Sequence, residues 1–204
     1  MEDVTETGRI EAFSDGVFAV AITLLVLDIQ LPHQIYSDAQ LLEYLAGQWP
    51  DLLAFVTSFL TIGVMWLNHH RLFTHIGRAN TTLILINLLL LLLIVFVPYP
   101  TALVAQYLAH PSPDHHVAAL LLSGVYVLLA MLFNLLWRYG SSMERLIDES
   151  SDRAAREHIT RQYRFGPLFY VVAFVLAWFN AEASVLLNLL FAIFFALPSS
   201  ALHS

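Results

Sequence analysis

The run L-L-L-L-L-L-I-V-F-V, Leu88 to Val97, sits in a longer apolar stretch that begins at Ala79. An uncharged segment of this length belongs in the hydrocarbon of a bilayer, where a backbone without water must bond to itself, as a helix does. The rest of the chain agrees. Of its 204 residues 58% are hydrophobic and only 12% are charged, with a mean hydropathy of +0.69. Soluble domains carry about 25% charged residues. The sequence is that of an all-α polytopic membrane protein.

Apolar segments fall at about 11–31, 50–68, 79–97, 117–137, 167–180 and 183–197, which predicts six transmembrane helices in a single domain over 1–204. Pro98 and Pro100 are expected to stop the third helix, and Pro167 to stand first in the fifth. The last two are short, with Asn180-Ala181-Glu182 as a tight hairpin between them. Arginine placement orients the set. The chain has no lysine, and Arg9, Arg71, Arg78, Arg138, Arg145, Arg153, Arg156, Arg161 and Arg164 all fall in the N-terminus, the 2–3 connection or the 4–5 connection. The positive-inside rule puts those segments, and both termini, in the cytoplasm. Asp28, Asp38, Glu43, Asp51, Asp114 and Glu182 then lie outside. Acids are tolerated there because the rule concerns basic residues; the sharper reading is a vestibule that concentrates cations. The formal charge of −7 argues against a nucleic-acid partner. The absence of cysteine excludes disulfides and thiolate metal sites, and the acidic first twelve residues are not those of a secretory signal.

The first helix is unusual. Its apolar window, Gly16 to Leu27, is bounded by Asp15 and Asp28 and is shorter than the ~20 residues a lipid-facing span needs. Such a helix must be shielded by neighbours or by copies of itself. Projected at about 100° per residue, Val20, Thr23, Leu24, Leu27 and Leu31 form one stripe, with Asp15 nearly opposite and Asp28 on its flank. A carboxylate at Asp15 must be paired or solvated.

The opening R-x-x-x-F-S-D, here Arg9-Ile10-Glu11-Ala12-Phe13-Ser14-Asp15, resembles the signature of the lysosomal potassium channel family and its bacterial relatives. Trp66-Leu67-Asn68-His69-His70-Arg71 is similar to that family's tryptophan and histidine pattern. Animal members carry two six-helix repeats, so this chain resembles a prokaryotic single-repeat form. The resemblance implies a homotetramer in a prokaryotic plasma membrane, with the first helix of each subunit lining a central pore for monovalent cations. It also implies an aliphatic constriction and a threonine one turn further along. On this sequence these fall at Val20 and Thr23, with Leu27 on the next turn. Valine is smaller than the isoleucine or leucine often found in the family, which leaves Leu24 and Leu27 as alternative positions for the narrowest ring. Asp28 would stand at the outer mouth. No T-V-G-Y-G carbonyl filter occurs, so a hydrophobic neck and hydroxyls would give a modest preference for potassium, the permeant ion, with no cofactor.

Arg9, Ser14 and Asp15 are expected to form a network with Trp66 and His70, holding the first helix against the second. His69, His70 and His75 read as hydrogen-bonded structural residues, with proton sensing as the alternative, rather than as a metal site, which needs three or four convergent ligands. His110, His115 and His116 read as an outer polar loop. Asn68, Asn87, Asn134 and Asn188 suit interhelical hydrogen bonds, and Trp49, Tyr99, Tyr107, Trp137 and Tyr139 suit interfacial belts. The alternatives are a proton-conducting channel or a secondary transporter, which would want an ionisable residue near midspan. An enzyme is not indicated, since no nucleophile–base pair is apparent.

Overall fold

A computed structural model describes residues 5–29, 37–109 and 116–196. Nearly all of it is helical. The helices are α1 (Gly8–Leu24), α2 (Asp38–Gly47), α3 (Trp49–Phe73), α4 (Thr81–Phe96), α5 (Pro98–Ala109), α6 (His116–Ser142), α7 (Arg153–Ala177) and α8 (Ala181–Ala196). Four segments among the described residues are long and apolar enough to cross a membrane: Gly8–Leu27, Trp49–Phe73, Thr81–Tyr107 and His116–Ser142. The apolar half of α7 and the shorter α8 stand beside them.

Several boundaries differ from the expected ones for identifiable reasons. The first helix starts at Gly8 and leaves α geometry after Leu24, continuing as a 3-10 turn over Leu25–Asp28 with Ile29 extended. Helix α4 ends at Phe96, just before Pro98 as expected, but the apolar span continues beyond the proline to Tyr107. Pro98 opens α5, because a proline in the first turn removes only an N–H that has no partner inside the helix. Pro167, by contrast, is not the first residue of its helix but lies within α7. It leaves the carbonyl of Tyr163, four residues earlier, without its helical donor. Asn134 Nδ2 on α6 donates to that oxygen at 2.6 Å, so a neighbouring helix supplies what proline withholds. Helix α2 was not foreseen; Ser37 caps it, accepting from the Gln40 amide at 3.3 Å.

The core lies where α3, α4 and α6 meet, with Ile62, Leu72, Leu90, Ile94, Tyr126, Leu129 and Trp137 fully buried. Lipid is as apolar as leucine, so packing and buried polar bonds must hold such helices together. Tyr126, Ser58 and Thr101 join α6, α3 and α5 through oxygen contacts of 3.2 and 2.6 Å. Asn188 Nδ2 donates to Ser123 Oγ at 3.0 Å, and Ser184, 2.9 Å from Ser123, donates to the Ala173 carbonyl, tying α6, α7 and α8. Trp137 departs from its expected place in an interfacial belt. It is buried, and its indole N–H donates to Thr160 at 2.9 Å.

At one end of the bundle the arginine-bearing segments are knitted together. Strand β1 (Thr5–Glu6) pairs antiparallel with β2 (Arg78–Ala79). Ile76 bridges to Ile147, the Asp148 amide donates to the His75 carbonyl at 3.0 Å, and His75 Nδ1 lies 2.9 Å from Ser151 Oγ. Gly77 allows a close approach here: a Cβ would lie 2.7 Å from Asp148 Oδ2 and 3.2 Å from the Asp148 backbone. Burial, then the charges of Arg156 and Arg71, hold the His75 pKa below its ordinary value. Hydrogen bonds from Ser150 hold the Asp148 carboxyl below its own.

Candidate functional site: the two faces of the first helix

Helix α1 turns Ser14, Phe18 and Ala21, then Leu25 of the following 3-10 turn, toward α3 and α4. This i, i+4, i+7 spacing marks one helical face. The opposite side is uncovered: Val20 is 54% exposed, Leu24 37% and Leu27 74%. Thr23 is also exposed, and its hydroxyl donates to the Val20 carbonyl at 2.9 Å, which leaves its lone pairs directed outward. Because the backbone tightens to three residues per turn after Leu24, Leu27 stands directly over Leu24. The stripe anticipated from the projection is therefore an exposed apolar surface interrupted by one hydroxyl. Leu31, and the side chain of Asp28, lie outside the described residues, as do His110 and His115.

Two bonded clusters hold the helix from behind, and they divide the residues differently from the expected network. Ser14 donates to the Ile10 carbonyl at 2.8 Å and accepts from Asn87 Nδ2 of α4 at 3.0 Å. That orients Asn87 Oδ1 toward His69 Nε2, 2.8 Å away on α3, and assigns a proton to Nε2. The His69 ring lies 4.6 Å from Phe73, stacked, and 5.4 Å from Phe18, tilted. All three polar side chains are buried. The second cluster is at the surface: Trp66 Nε1 donates to Asp15 Oδ1 at 2.8 Å, and the indole stacks on His70 at 6.2 Å. Ser14 therefore belongs with Asn87 and His69, not with Trp66. Among the described residues Arg9, exposed like Phe13, forms no ion pair with Asp15. Asn87 was visible as the lone polar residue in an apolar run; its two partners were not.

Among the described residues no three histidine or acidic side chains converge as metal ligands. His116 Nδ1 instead lies 3.0 Å from the Ala177 carbonyl.

The geometry can now be set beside known proteins. The family profile described as endosomal/lysosomal potassium channel TMEM175 matches residues 9–98. A potassium channel of Chamaesiphon minutus is 49% identical over 198 residues, 97% of each chain. One of Streptomyces collinus is 40% identical over 192 residues, 94% of this chain and 92% of that one. The crystal structure of a lysosomal potassium-selective channel TMEM175 homologue from Chamaesiphon minutus superposes with a TM-score of 0.83 at 48% identity, covering 93% of this chain and 96% of that chain.

Proposed function

Since the chain belongs to the TMEM175 family of potassium channels, we propose that it conducts potassium through a pore built from copies of α1. It is a channel, not an enzyme, and potassium is its permeant ion. The observation that carries the pore assignment is the uncovered stripe of Val20, Thr23, Leu24 and Leu27 on a helix whose other face is bonded to its own subunit. In a homotetramer, four such stripes enclose an apolar neck.

Rings of Val20, Leu24 and Leu27 resist wetting and so form the gate. Thr23 sets four oxygens at one level between them. Its hydroxyl proton is engaged with the Val20 carbonyl, so the oxygen faces a passing cation as an acceptor. A partly dehydrated potassium ion loses its water more readily than sodium, which makes the preference modest rather than strict. Asp28 stands at the outer mouth. Ser14, Asn87 and His69, with Asp15, Trp66 and His70, keep the stripe aimed at the axis. Both termini are cytoplasmic in the plasma membrane of a prokaryote, with six spans per subunit. The β1–β2 pair and the Ile76–Ile147 bridge support this orientation, since through them the N-terminal, 2–3 and 4–5 segments, which hold the arginines, meet at one end. A proton pathway or secondary transporter is less well served, because Gly16 to Leu27 contains no ionisable side chain.

The test is purified protein in liposomes holding a potassium gradient. Flux is expected from the parent, and Val20→Asn should wet the neck and raise basal conductance with some loss of selectivity. Well-folded tetramers without flux contradict the channel reading. An increase from Leu24→Asn or Leu27→Asn but not from Val20→Asn moves the gate outward along the helix.

A further inference from the structure

The arginine-rich end of the α6–α7 pair encloses a cleft of about 420 Å³. Arg138 of α6 and Arg161 and Arg164 of α7 line it, over a floor that includes Asn134, Trp137 and Tyr163. Two neutral donors of that floor are already used, since Asn134 Nδ2 is bonded to the Tyr163 carbonyl and Trp137 Nε1 to Thr160, while the buried Tyr163 hydroxyl has no hydrogen-bond partner among the described residues. The one carboxylate present, Glu157, lies 3.3 Å from Arg153. Among the described residues, none of the three lining arginines pairs with an acid. The cleft thus presents uncommitted guanidinium groups, which suit phosphate oxygens geometrically.

Its position narrows the source of that phosphate. Arg164 directly precedes the apolar half of α7, beginning at Phe165. Tyr163 also borders a second, apolar crevice lined by Met65, Phe133, Gly166 and Tyr170. A Cβ added at Gly166 meets nothing within 4 Å, so this side of α7 is open to an alkyl chain. A basic cleft at the boundary of the apolar zone, continued by an apolar crevice, fits a headgroup with its acyl chain attached. We propose that this cleft binds the phosphate of an anionic phospholipid, with the chain lying along Gly166. Recognition chiefly through arginine charge makes the site selective for net negative charge, not for a particular headgroup.

Full-length protein stripped of lipid in neutral detergent is titrated with dioctanoyl phosphatidylglycerol, dioctanoyl phosphatidylcholine or inorganic phosphate, with binding read by native mass spectrometry. Phosphatidylglycerol should bind saturably and phosphatidylcholine much more weakly. Arg161→Gln/Arg164→Gln should weaken phosphatidylglycerol roughly 30-fold, about fivefold for each charge and slightly more together. Arg161→Lys/Arg164→Lys, which keeps the charge, should retain most of the binding and verifies the fold. Gly166→Leu should weaken phosphatidylglycerol without touching an arginine. Arg145→Gln removes a charge away from the cleft and should change binding less than about threefold. Equal binding by parent and the double glutamine variant overturns the proposal, as does an equal loss in Arg145→Gln, which indicates diffuse charge only. Inorganic phosphate that competes as well as phosphatidylglycerol, with Gly166→Leu unaffected, identifies a free-anion site and overturns the lipid assignment.

Discussion

Helices α1 and α6 are both apolar and both long enough, with α1's 3-10 extension, to cross a bilayer, yet they use their surfaces in opposite ways. Half of α6's most apolar window is buried within the chain, against 22% of α1's. α6 packs on α4, α5, α7 and α8 and carries Tyr126, Leu129, Leu136 and Trp137 into the core. α1 touches α3 and α4 through a narrow face and leaves the rest uncovered. The difference separates two jobs. Substitutions on α6 should cost folding, whereas substitutions on the open stripe of α1 should spare the fold and alter conduction.

The largest expected effect is at Gly140 of α6. A Cβ there would sit 2.5 Å from Ile76 Cδ1 and 3.1 Å from its Cγ1, with Ile76 itself fully buried. Gly140→Val should therefore destabilise the chain by about 1–3 kcal/mol, seen as a lower melting temperature in detergent. An unchanged melting temperature would remove α6 from its central structural role.

On the inner face of α1, Asn87→Ala deletes both bonds that link Ser14 to His69. A loss of roughly 1–2 kcal/mol is expected, the scale of such bonds between membrane helices. The same substitution should also loosen α1 relative to α3, measurable as faster proteolysis at the N-terminal segment. If stability falls while α1 stays protected, the surface bond between Asp15 and Trp66 is the stronger anchor.

A smaller, pH-dependent effect belongs to His75, whose ring meets Trp137 of α6 edge-on at 6.2 Å. Its folded pKa lies below the ordinary 6.5, so the unfolded chain takes up the proton first as pH falls. The neutral ring's contribution is then complete above pH 6.5 and declines as pH drops through the window below it. Thermal melts of His75→Gln should show a shallower loss on acidification than the parent. Equal slopes would assign the acid sensitivity elsewhere.

Smallest in stability, and largest in what it says about conduction, is Thr23→Val. It removes an exposed hydroxyl bonded only to its own helix, so the melting temperature should move by less than about 0.5 kcal/mol equivalent. Potassium preference over sodium should fall, read as the reversal potential under bi-ionic conditions. Thr23→Ala should act alike, since both remove the oxygen and only one keeps the shape. Parent-like values in both variants make Thr23 a structural residue.

Much of this contrast could be read from residue order, for physical reasons. Long apolar runs announce α3, α4 and α6 because lipid tolerates little else, and the open stripe of α1 follows from helical periodicity around a window too short for lipid. What escaped was set by contacts distant along the chain. Asn87 reaches Ser14 across 73 positions and His69 across 18, and no local pattern encodes such pairings, whereas the bond from Trp66 to Asp15 was expected. Proline was the other source of difference. Its effect depends on whether a partner supplies the missing bond, as Asn134 does for Tyr163, and whether it falls in a first turn, as Pro98 does. Trp137 looked interfacial by composition, but it is buried and Thr160 gives its N–H a partner.

The central claim, that the stripe on α1 lines the pore, is open to a direct measurement because the chain has no cysteine. Single cysteines at Val20, Thr23 and Leu27, and at Val26 as a control that is 52% exposed but off the stripe, can be placed in planar bilayers and treated with a positively charged thiol reagent. Potassium current should be irreversibly reduced in the Thr23→Cys and Leu27→Cys channels, more slowly in Val20→Cys, and unchanged in Val26→Cys. Current lost in Val26→Cys while the three stripe variants remain unaffected would contradict the account.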